Sequence, residues 1–340
     1  MILALTLACC AAPQGAGDLS TAESLLEKAV WTPTLRPDAR GFLGTAHGPI
    51  VEIDHVRLSI DWQRIEYGGL MDGSIPISSA DLFARGFQRA PISGVREELH
   101  LRAEYGLSEA FTLRLDAPIV NKIVAFEDAS AQRTRLRTTG LGDVAIGASV
   151  ELSRGEESRS EVALDLDMPT GSVTDREPPD PNTNLAPRLP YDLQPGHGTW
   201  RLRPSFHLAR WGADWSAGAG FEYQTSLDES DQGWKPGNAL LAQAWYTRRF
   251  DESRSVVFAV DYEGQDEVSG QDTALDTSLD PMQLPQNTGG QRFGASIGLH
   301  MEVERRNFLA IEVGVPVWQE VEGVQLEEDY RLRLGWWMSL

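Results

Sequence analysis

The stretch that decides the fold is Glu98–Asp116, which reads ELHLRAEYGLSEAFTLRLD. Apolar and polar side chains alternate on both sides of the short turn Gly106-Leu107-Ser108-Glu109. A period of two is typical of a β-strand with one apolar and one polar face. Two such strands joined by a tight turn form a β-hairpin, so this stretch predicts one.

The same pattern continues outward from this hairpin, from about residue 50 to residue 340. Segments of roughly ten residues are joined alternately by a tight turn and a long loop, which is typical of a bacterial transmembrane β-barrel. The longest insertion, Gly171–Gly196, is rich in proline and therefore lies outside the sheet. About twelve segments can be counted, and an even number brings both chain ends to the same side.

The apolar face of these strands is nearly free of charged residues. Lys or Arg facing lipid at mid-bilayer would cost about 2–4 kcal/mol, so this face favours a membrane barrel over the alternative, a soluble β-sandwich. No stretch reaches the roughly 18 consecutive apolar residues that a membrane-spanning helix needs.

We therefore predict an all-β protein, a single antiparallel up-and-down transmembrane β-barrel of about 12 strands with a short helical N-terminal extension. It would lie in the bacterial outer membrane. Both termini and the short turns would face the periplasm, and about six long loops would lie outside the cell.

The opening of the chain predicts export. Residues 2–12 form an apolar run that contains the only two cysteines, Cys9 and Cys10. Such a run is typical of an export signal, here 1–17, and the missing basic residue before it indicates a truncated start. A lipoprotein in which Cys10 carries the lipid is the alternative. We expect 18–49 to be a periplasmic extension with a short helix, outside the lumen rather than a plug within it, and 50–340 to be the barrel.

The polar faces of the strands predict the residues that line the lumen. They are Arg57, Asp61, Glu98, His100, Arg102, Arg114, Asp116, Asp165, Arg201, Arg203, His207, Glu222, Asp261, His300, Arg331 and Arg333. Charges of both signs can form ion pairs that fill and rigidify the barrel, or they can border a narrow solute path, and the pattern leaves both open. The whole chain carries 50 acidic against 30 basic residues, a net charge of −20 that disfavours nucleic acid as a partner.

The sequence predicts no enzyme, no cofactor and no metal site. A barrel phospholipase, the alternative, would need a His beside a Ser nucleophile on the outer face, and no His-x-Ser pair occurs. His100, His207 and His300 lie on separate strands and lack the spacing of metal ligands.

Several short blocks, spread from the first strand to the last hairpin, resemble one protein family. They include Met71-Asp72-Gly73, Tyr105-Gly106-Leu107-Ser108, Thr139-Gly140-Leu141-Gly142-Asp143, Met168-Pro169-Thr170-Gly171, Leu189-Pro190-Tyr191-Asp192, Gly196-His197-Gly198-Thr199 and Gly314-Val315-Pro316-Val317-Trp318. In this order they are similar to outer-membrane barrels described as transporters or phenol-degradation meta-pathway proteins.

The resemblance implies a passive channel or uptake barrel for small, hydrophobic or aromatic molecules. A structural or surface-interaction barrel with a closed, ion-paired lumen is the alternative. As partners we expect a small-molecule solute, outer-membrane lipid, lipopolysaccharide and the barrel-assembly machinery.

Overall fold

The computed structural model describes residues 36–44, 51–179, 186–304 and 306–340. The predicted export signal and the predicted N-terminal helix lie outside these residues. In the described part of the chain, no helix is long and apolar enough to cross a membrane.

The described chain is built almost entirely from strands. They are β1 (Val56–Asp72), β2 (Ile75–Ile77), β3 (Arg89–Ser108), β4 (Phe111–Asp128), β5 (Arg133–Leu141), β6 (Val144–Arg154), β7 (Ser158–Met168), β8 (Arg201–Trp211), β9 (Trp215–Ser226), β10 (Trp234–Lys235), β11 (Ala239–Arg249), β12 (Arg254–Gln265), β13 (Ser269–Gly270), β14 (Gly290–Glu304), β15 (Asn307–Val321) and β16 (Val324–Ser339). One α-helix, α1 (Ser79–Ala84), and the 3-10 helices Tyr191–Leu193, Pro281–Gln283 and Pro285–Asn287 lie in the connections.

The sheet closes on itself because β1 pairs with β3 on one side and with β16 on the other. Leu58, for example, lies opposite Ala103 of β3 and Met338 of β16. Both β5 and β6 pair with β4, so they count as one strand of the barrel wall. Gly142 and Asp143 interrupt this strand between β5 and β6. The wall is therefore a closed antiparallel barrel of 12 strand positions, which confirms the predicted fold class and strand number.

The two faces of the wall are the reverse of those of a soluble protein. On β4, Leu113 and Leu115 are 43% and 45% exposed, whereas Thr112, Arg114 and Asp116 are buried. Because successive side chains on a strand point to opposite faces, the apolar set faces outward and the polar set faces the lumen. This arrangement is stable when the outer surface is in contact with lipid.

The two ends of the barrel differ in their connections. At the turn end, where β1 begins and β16 ends, consecutive strands are joined by short turns such as the one between β3 and β4. At the opposite, loop end, only the connections after β1, β7, β9 and β12 are long.

The expectation of about six long loops is therefore wrong for two connections. β4 and β5 continue to a tight turn in which the Asp128 carboxylate accepts hydrogen bonds from the backbone N–H groups of Ser130 and Gln132. β15 and β16 are joined by Glu322 and Gly323, and Gly323 takes a φ of +62° that favours glycine.

The segment 36–44, which we name the floor segment, lies inside the barrel at the turn end. Phe42 packs against the lumen-facing side chains of Trp245, Val257 and Ala259. The Arg40 guanidinium lies 2.5 Å from the Asp61 carboxylate. The expectation that residues 18–49 stay outside the lumen is thus wrong for 36–44, because these side chains complete a buried apolar and ionic core.

The outward apolar face generates a test of the membrane assignment. Leu115 lies near the middle of the apolar band of β4, so Leu115→Arg is expected to lower the free energy of unfolding from lipid vesicles by about 2–4 kcal/mol. Leu115→Met is the matched control and should change it by less than about 1.5 kcal/mol. A soluble sandwich would tolerate Arg at this exposed position within about 0.5 kcal/mol, and that result would contradict the barrel's lipid contact.

Candidate functional site in the barrel lumen

The residues that the sequence predicts for the lumen alternate along their strands with apolar side chains of the outer face. Ten of them border one cavity near the loop end: Asp61, Glu98, His100, Arg102, Asp116, Arg201, Arg203, Glu222, Arg331 and Arg333. The others, Arg57, Arg114, Asp165, His207, Asp261 and His300, do not border it. That these side chains form a solute path stays a prediction.

The half of the lumen near the turn end is filled by ion pairs. Arg114 lies 2.7 Å from Asp165, and Arg57 lies 2.5 Å from a carboxylate that the candidate set does not include, Glu104. All four side chains are less than a tenth exposed. Removal of one partner of such a pair would leave an uncompensated buried charge, so these contacts hold the strands in register.

The floor segment separates this filled half from the cavity above. The backbone N–H of Leu43 donates to Glu312 at 2.8 Å, and His300 lies 2.9 Å from the same carboxylate. Both His300 and Glu312 are almost fully buried. The Arg40 guanidinium also lies 5.0 Å from the centroid of the Trp337 ring, a cation–π distance.

Above the floor segment lies a cavity of about 550 Å³. This volume falls within the roughly 300–1,000 Å³ typical of small-molecule sites. The lining is partly apolar, with contributions from Ile65, Val120, Val124, Tyr191, Leu193, Trp234, Leu241, Val268, Met282 and Leu326. Small solutes with an aromatic or aliphatic body can therefore contact carbon surface while polar groups border the same space.

Two ion-pair networks cross the wall of the cavity. In the first, Arg102 bridges Asp61 at 2.7 Å and Asp116 at 2.9 Å, and His100 lies 3.0 Å from Asp116. These four residues all belong to the predicted set.

The second network joins β12, β14 and β16. Glu263 lies 2.9 Å from Arg292 and 3.0 Å from Arg331, and Glu328 lies 2.7 Å from Arg331. The sequence-based set includes only Arg331 of these. Glu263 continues the polar period of Asp261 by one step, and Arg292 precedes the outward Phe293, so an extended period-two count would have found both. Glu328 lies beyond a register shift at Asp329 that reverses the faces of β16, so the same count would have missed it.

The long connections fold over the cavity and form a loop cap, which comprises residues 169–179, 186–200, 227–238 and 266–289. Leu189 and Leu193 pack against Val124, Phe126 and Leu136 of the wall. Tyr191 packs edge-on against Trp234, with ring centroids 4.9 Å apart.

An ionic contact secures the cap at a second place. Arg89 of β3 lies 2.6 Å from Glu177 and 2.7 Å from Asp280. Burial raises the pKa of Asp280, and hydrogen bonds from Arg89 and Gln283 oppose that rise. The cap is thus attached to the wall by apolar and charged contacts.

Asp143, at the interruption between β5 and β6, connects the wall to the cap. Its carboxylate accepts hydrogen bonds from the backbone N–H groups of Gly171 at 2.9 Å and His197 at 2.8 Å. A Cβ at Gly171 would lie 2.6 Å from the Cα of Gly196, so both glycines permit this close approach. Three blocks of the family resemblance therefore meet at one point in space.

Within the described ranges, no group of three His, Cys, Asp or Glu side chains is placed to hold a metal ion. The lumen instead combines paired charges, an apolar-lined cavity and a closed antiparallel wall with an apolar exterior. These features define a transmembrane β-barrel of the outer-membrane class.

The chain belongs to the family described as the putative MetA-pathway of phenol degradation, whose model matches residues 98–334. No curated protein matches the chain. An outer-membrane channel from Pseudomonas putida F1 is similar in structure, with a TM-score of 0.60 and 14% sequence identity, over 89% of this chain and 98% of that one. This similarity shows a shared fold.

Two further solved structures match less well. The toluene transporter TbuX of Ralstonia pickettii gives a TM-score of 0.44 at 7% identity, over 88% of this chain and 99% of that one. The monoaromatic hydrocarbon channel CymD gives 0.41 at 7% identity, over 85% and 89%.

The Asp143 contacts generate a prediction about the cap. Both carboxylate oxygens accept backbone N–H groups, whereas Asn can accept at one position only and would present its NH₂ group to the other donor. Asp143→Asn should therefore lower the free energy of local opening of residues 169–200 by about 1–3 kcal/mol, measured by hydrogen exchange. Asp192→Asn in the same loop is the control, because Asp192 is exposed. Equal protection of the loop in both variants would contradict this role of Asp143.

Proposed function

We propose that this protein is a passive outer-membrane channel or uptake barrel for small, hydrophobic or aromatic molecules. The observation that carries the proposal is the cavity of about 550 Å³ between the loop cap and the floor segment, whose lining is partly apolar. Lipopolysaccharide-covered membranes are poorly permeable to apolar solutes, so a protein cavity with carbon surface offers them a route that the lipid does not.

Two findings support this proposal. The family to which the chain belongs is described by its association with phenol degradation, a process whose substrate is a small aromatic molecule. The P. putida F1 protein that shares the fold is an outer-membrane channel. Neither finding identifies the solute, and the cavity lining is what favours an aromatic or aliphatic body.

A second candidate function is a structural or surface-interaction barrel with a closed lumen. The filled half near the turn end favours it, since Arg114–Asp165 and the floor segment leave that region densely packed. The two functions differ in a planar bilayer, where a conduit gives conductance or solute flux and a closed barrel gives neither.

Narrowing the cavity provides the sharper test. Leu241 borders the cavity, and the adjacent Leu240 points outward with 40% exposure. Leu241→Trp should reduce the initial rate of toluene or phenol uptake by intact cells severalfold, because the larger ring occupies solute volume. Leu240→Trp adds the same ring to the lipid-facing side and should leave uptake near the wild-type rate.

Uptake that is the same in both variants and in cells without the protein would contradict the conduit and favour the closed barrel. Heat-dependent gel mobility of each variant controls for folding.

We also propose that the loop end faces the cell exterior and that both termini are periplasmic. The supporting observation is the outer face of β5, where Arg133, Arg135 and Arg137 are exposed beyond the apolar band. Arg135 has no ion-pair partner in the described part of the chain, and Arg137 donates to the neutral side chain of Asn121. Exposed cations at this height match the phosphate groups of lipopolysaccharide, which we propose as the lipid partner. Insertion of the closed wall would require the barrel-assembly machinery.

Cysteine labelling tests this orientation, because the sequence has no cysteine after Cys10. Ser130→Cys in the β4–β5 turn should react with a membrane-impermeant maleimide in intact cells. Glu156→Cys, at an exposed position in the turn between β6 and β7, should react only after the outer membrane is opened. The reverse labelling pattern would show that the termini lie outside the cell.

A further inference from the structure

The cavity contains cationic side chains that lack a carboxylate partner. In the described part of the chain, no carboxylate oxygen lies within 4.0 Å of the charged nitrogens of Lys122, Arg201 or Arg333. The other five Arg side chains that border the cavity each have one: Arg96, Arg102, Arg203, Arg292 and Arg331. Lys122, Arg201 and Arg333 therefore differ from the other cations that border the cavity, each of which forms an ion pair.

Contacts within the barrel account for Arg333. Its Nε donates to Gln63 at 2.9 Å, and its guanidinium lies 4.5 Å from the centroid of the Phe42 ring. These contacts fix the floor segment, so Arg333 has a structural role without any ligand.

Lys122 and Arg201 have only neutral partners. The Lys122 ammonium donates to the backbone carbonyl of Gln194 at 2.7 Å. Arg201 donates to the amide oxygen of Gln224 at 2.6 Å and lies 3.4 Å from Nε2 of His197. The Nε atom of Arg201 is buried without an acceptor, and the residue as a whole is 6% exposed. A buried donor without an acceptor is costly, so a carboxylate oxygen that reached this nitrogen would gain a hydrogen bond.

His197 lies beside Arg201 in the cap, and the charges of both cations act on it. Burial lowers its pKa, Arg201 and Lys122 lower it further, and the hydrogen bond with Asp143 opposes this effect. Its Nδ1 lies 2.9 Å from Asp143, which leaves Nε2 as the acceptor that faces Arg201. Carboxylates border the same cavity. Asp143 binds the cap, and Asp167 pairs with Arg203 at 2.9 Å. Asp192 lies outside ion-pair distance of Lys122, although its charge acts on the ammonium.

Carbon surface lies directly beside these cations. Val120 precedes Lys122 by two positions on the same face of β4, and Leu193 and Pro195 flank Gln194 in the cap. All three border the same cavity. Cations with apolar side chains beside them match a molecule with a carboxylate head and a hydrophobic body.

We propose that Lys122 and Arg201 form a binding subsite for the carboxylate of a small aromatic or aliphatic monocarboxylic acid. The carboxylate would accept hydrogen bonds from the Lys122 ammonium and the Arg201 guanidinium, and the body would contact Val120 and Leu193. This inference rests on the proposed function, since it names the solute class that the cavity favours.

Calorimetry on the full chain in lipid nanodiscs tests the subsite, with benzoate and benzamide as probes of nearly equal size. Benzoate carries the charge at neutral pH, so it should bind about tenfold more tightly than benzamide. Lys122→Gln and Arg201→Gln should each weaken benzoate binding by about fivefold to tenfold and leave benzamide unchanged. Lys122→Arg should retain benzoate binding, because it keeps the charge.

Arg96→Gln is the matched control, since it removes the same charge from a cavity-lining residue that already pairs with Glu98 at 2.6 Å. Its effect on benzoate should be less than about twofold. Equal affinities of the two probes, an equal loss in Arg96→Gln, or no binding of benzoate would each overturn the subsite. Uptake of neutral toluene or phenol by Leu241→Trp and Leu240→Trp tests the channel function separately. The carboxylate subsite can therefore be disproved while the channel function is supported. Heat-dependent gel mobility identifies any variant that has failed to fold.

Discussion

The hydrogen-bonded seam between β1 and β16 is the contact on which the rest of the structure depends. A strand whose backbone faces lipid has no water to satisfy its N–H and C=O groups, so an open sheet edge in the membrane is strongly unfavourable. The seam runs from the pair Arg57 and Ser339 to the pair Asp72 and Val324, and it leaves no edge in the wall. Once the sheet is closed, every side chain must point either to lipid or to the lumen.

This division explains why the lumen is so highly charged. Polar side chains cannot face lipid, and the inward positions receive them regardless of whether a solute needs them. Pairs such as Arg114 of β4 and Asp165 of β7 then compensate one another across the intervening strand β6. A function is therefore indicated less by the presence of charge in the lumen than by departures from pairing, which is why cations with neutral partners are more informative than the ion-pair networks.

The sequence predicts the faces of the wall well because a period of two depends only on neighbouring residues. It identifies Arg114 and Asp116 as inward without any knowledge of the fold. It does not predict which charges meet, because Arg114 and Asp165 are 51 residues apart and their contact depends on the register of three strands. Nor does it place the floor segment, whose residues 36–44 have no periodic pattern and lie in the lumen because Phe42 and Leu43 fill space that the wall leaves.

The apolar alternation also depends on the environment of a strand. This explains why the sequence predicts a long loop between β4 and β5, where the structure has a tight turn. The pattern disappears where β4 and β5 rise beyond the lipid, since Arg133, Arg135 and Arg137 occupy outward positions that are apolar lower in the wall. These residues look like a loop in the sequence although they form a regular ladder with β4. The height at which the outward face changes from Leu141 to Thr139 and Arg137 thus marks the edge of the membrane. Lys122 lies near that height and borders the cavity, so the cavity extends from the membrane-spanning part of the wall up to the level where the wall leaves the lipid. At that level the cap, rather than the bilayer, closes the space that Lys122 faces.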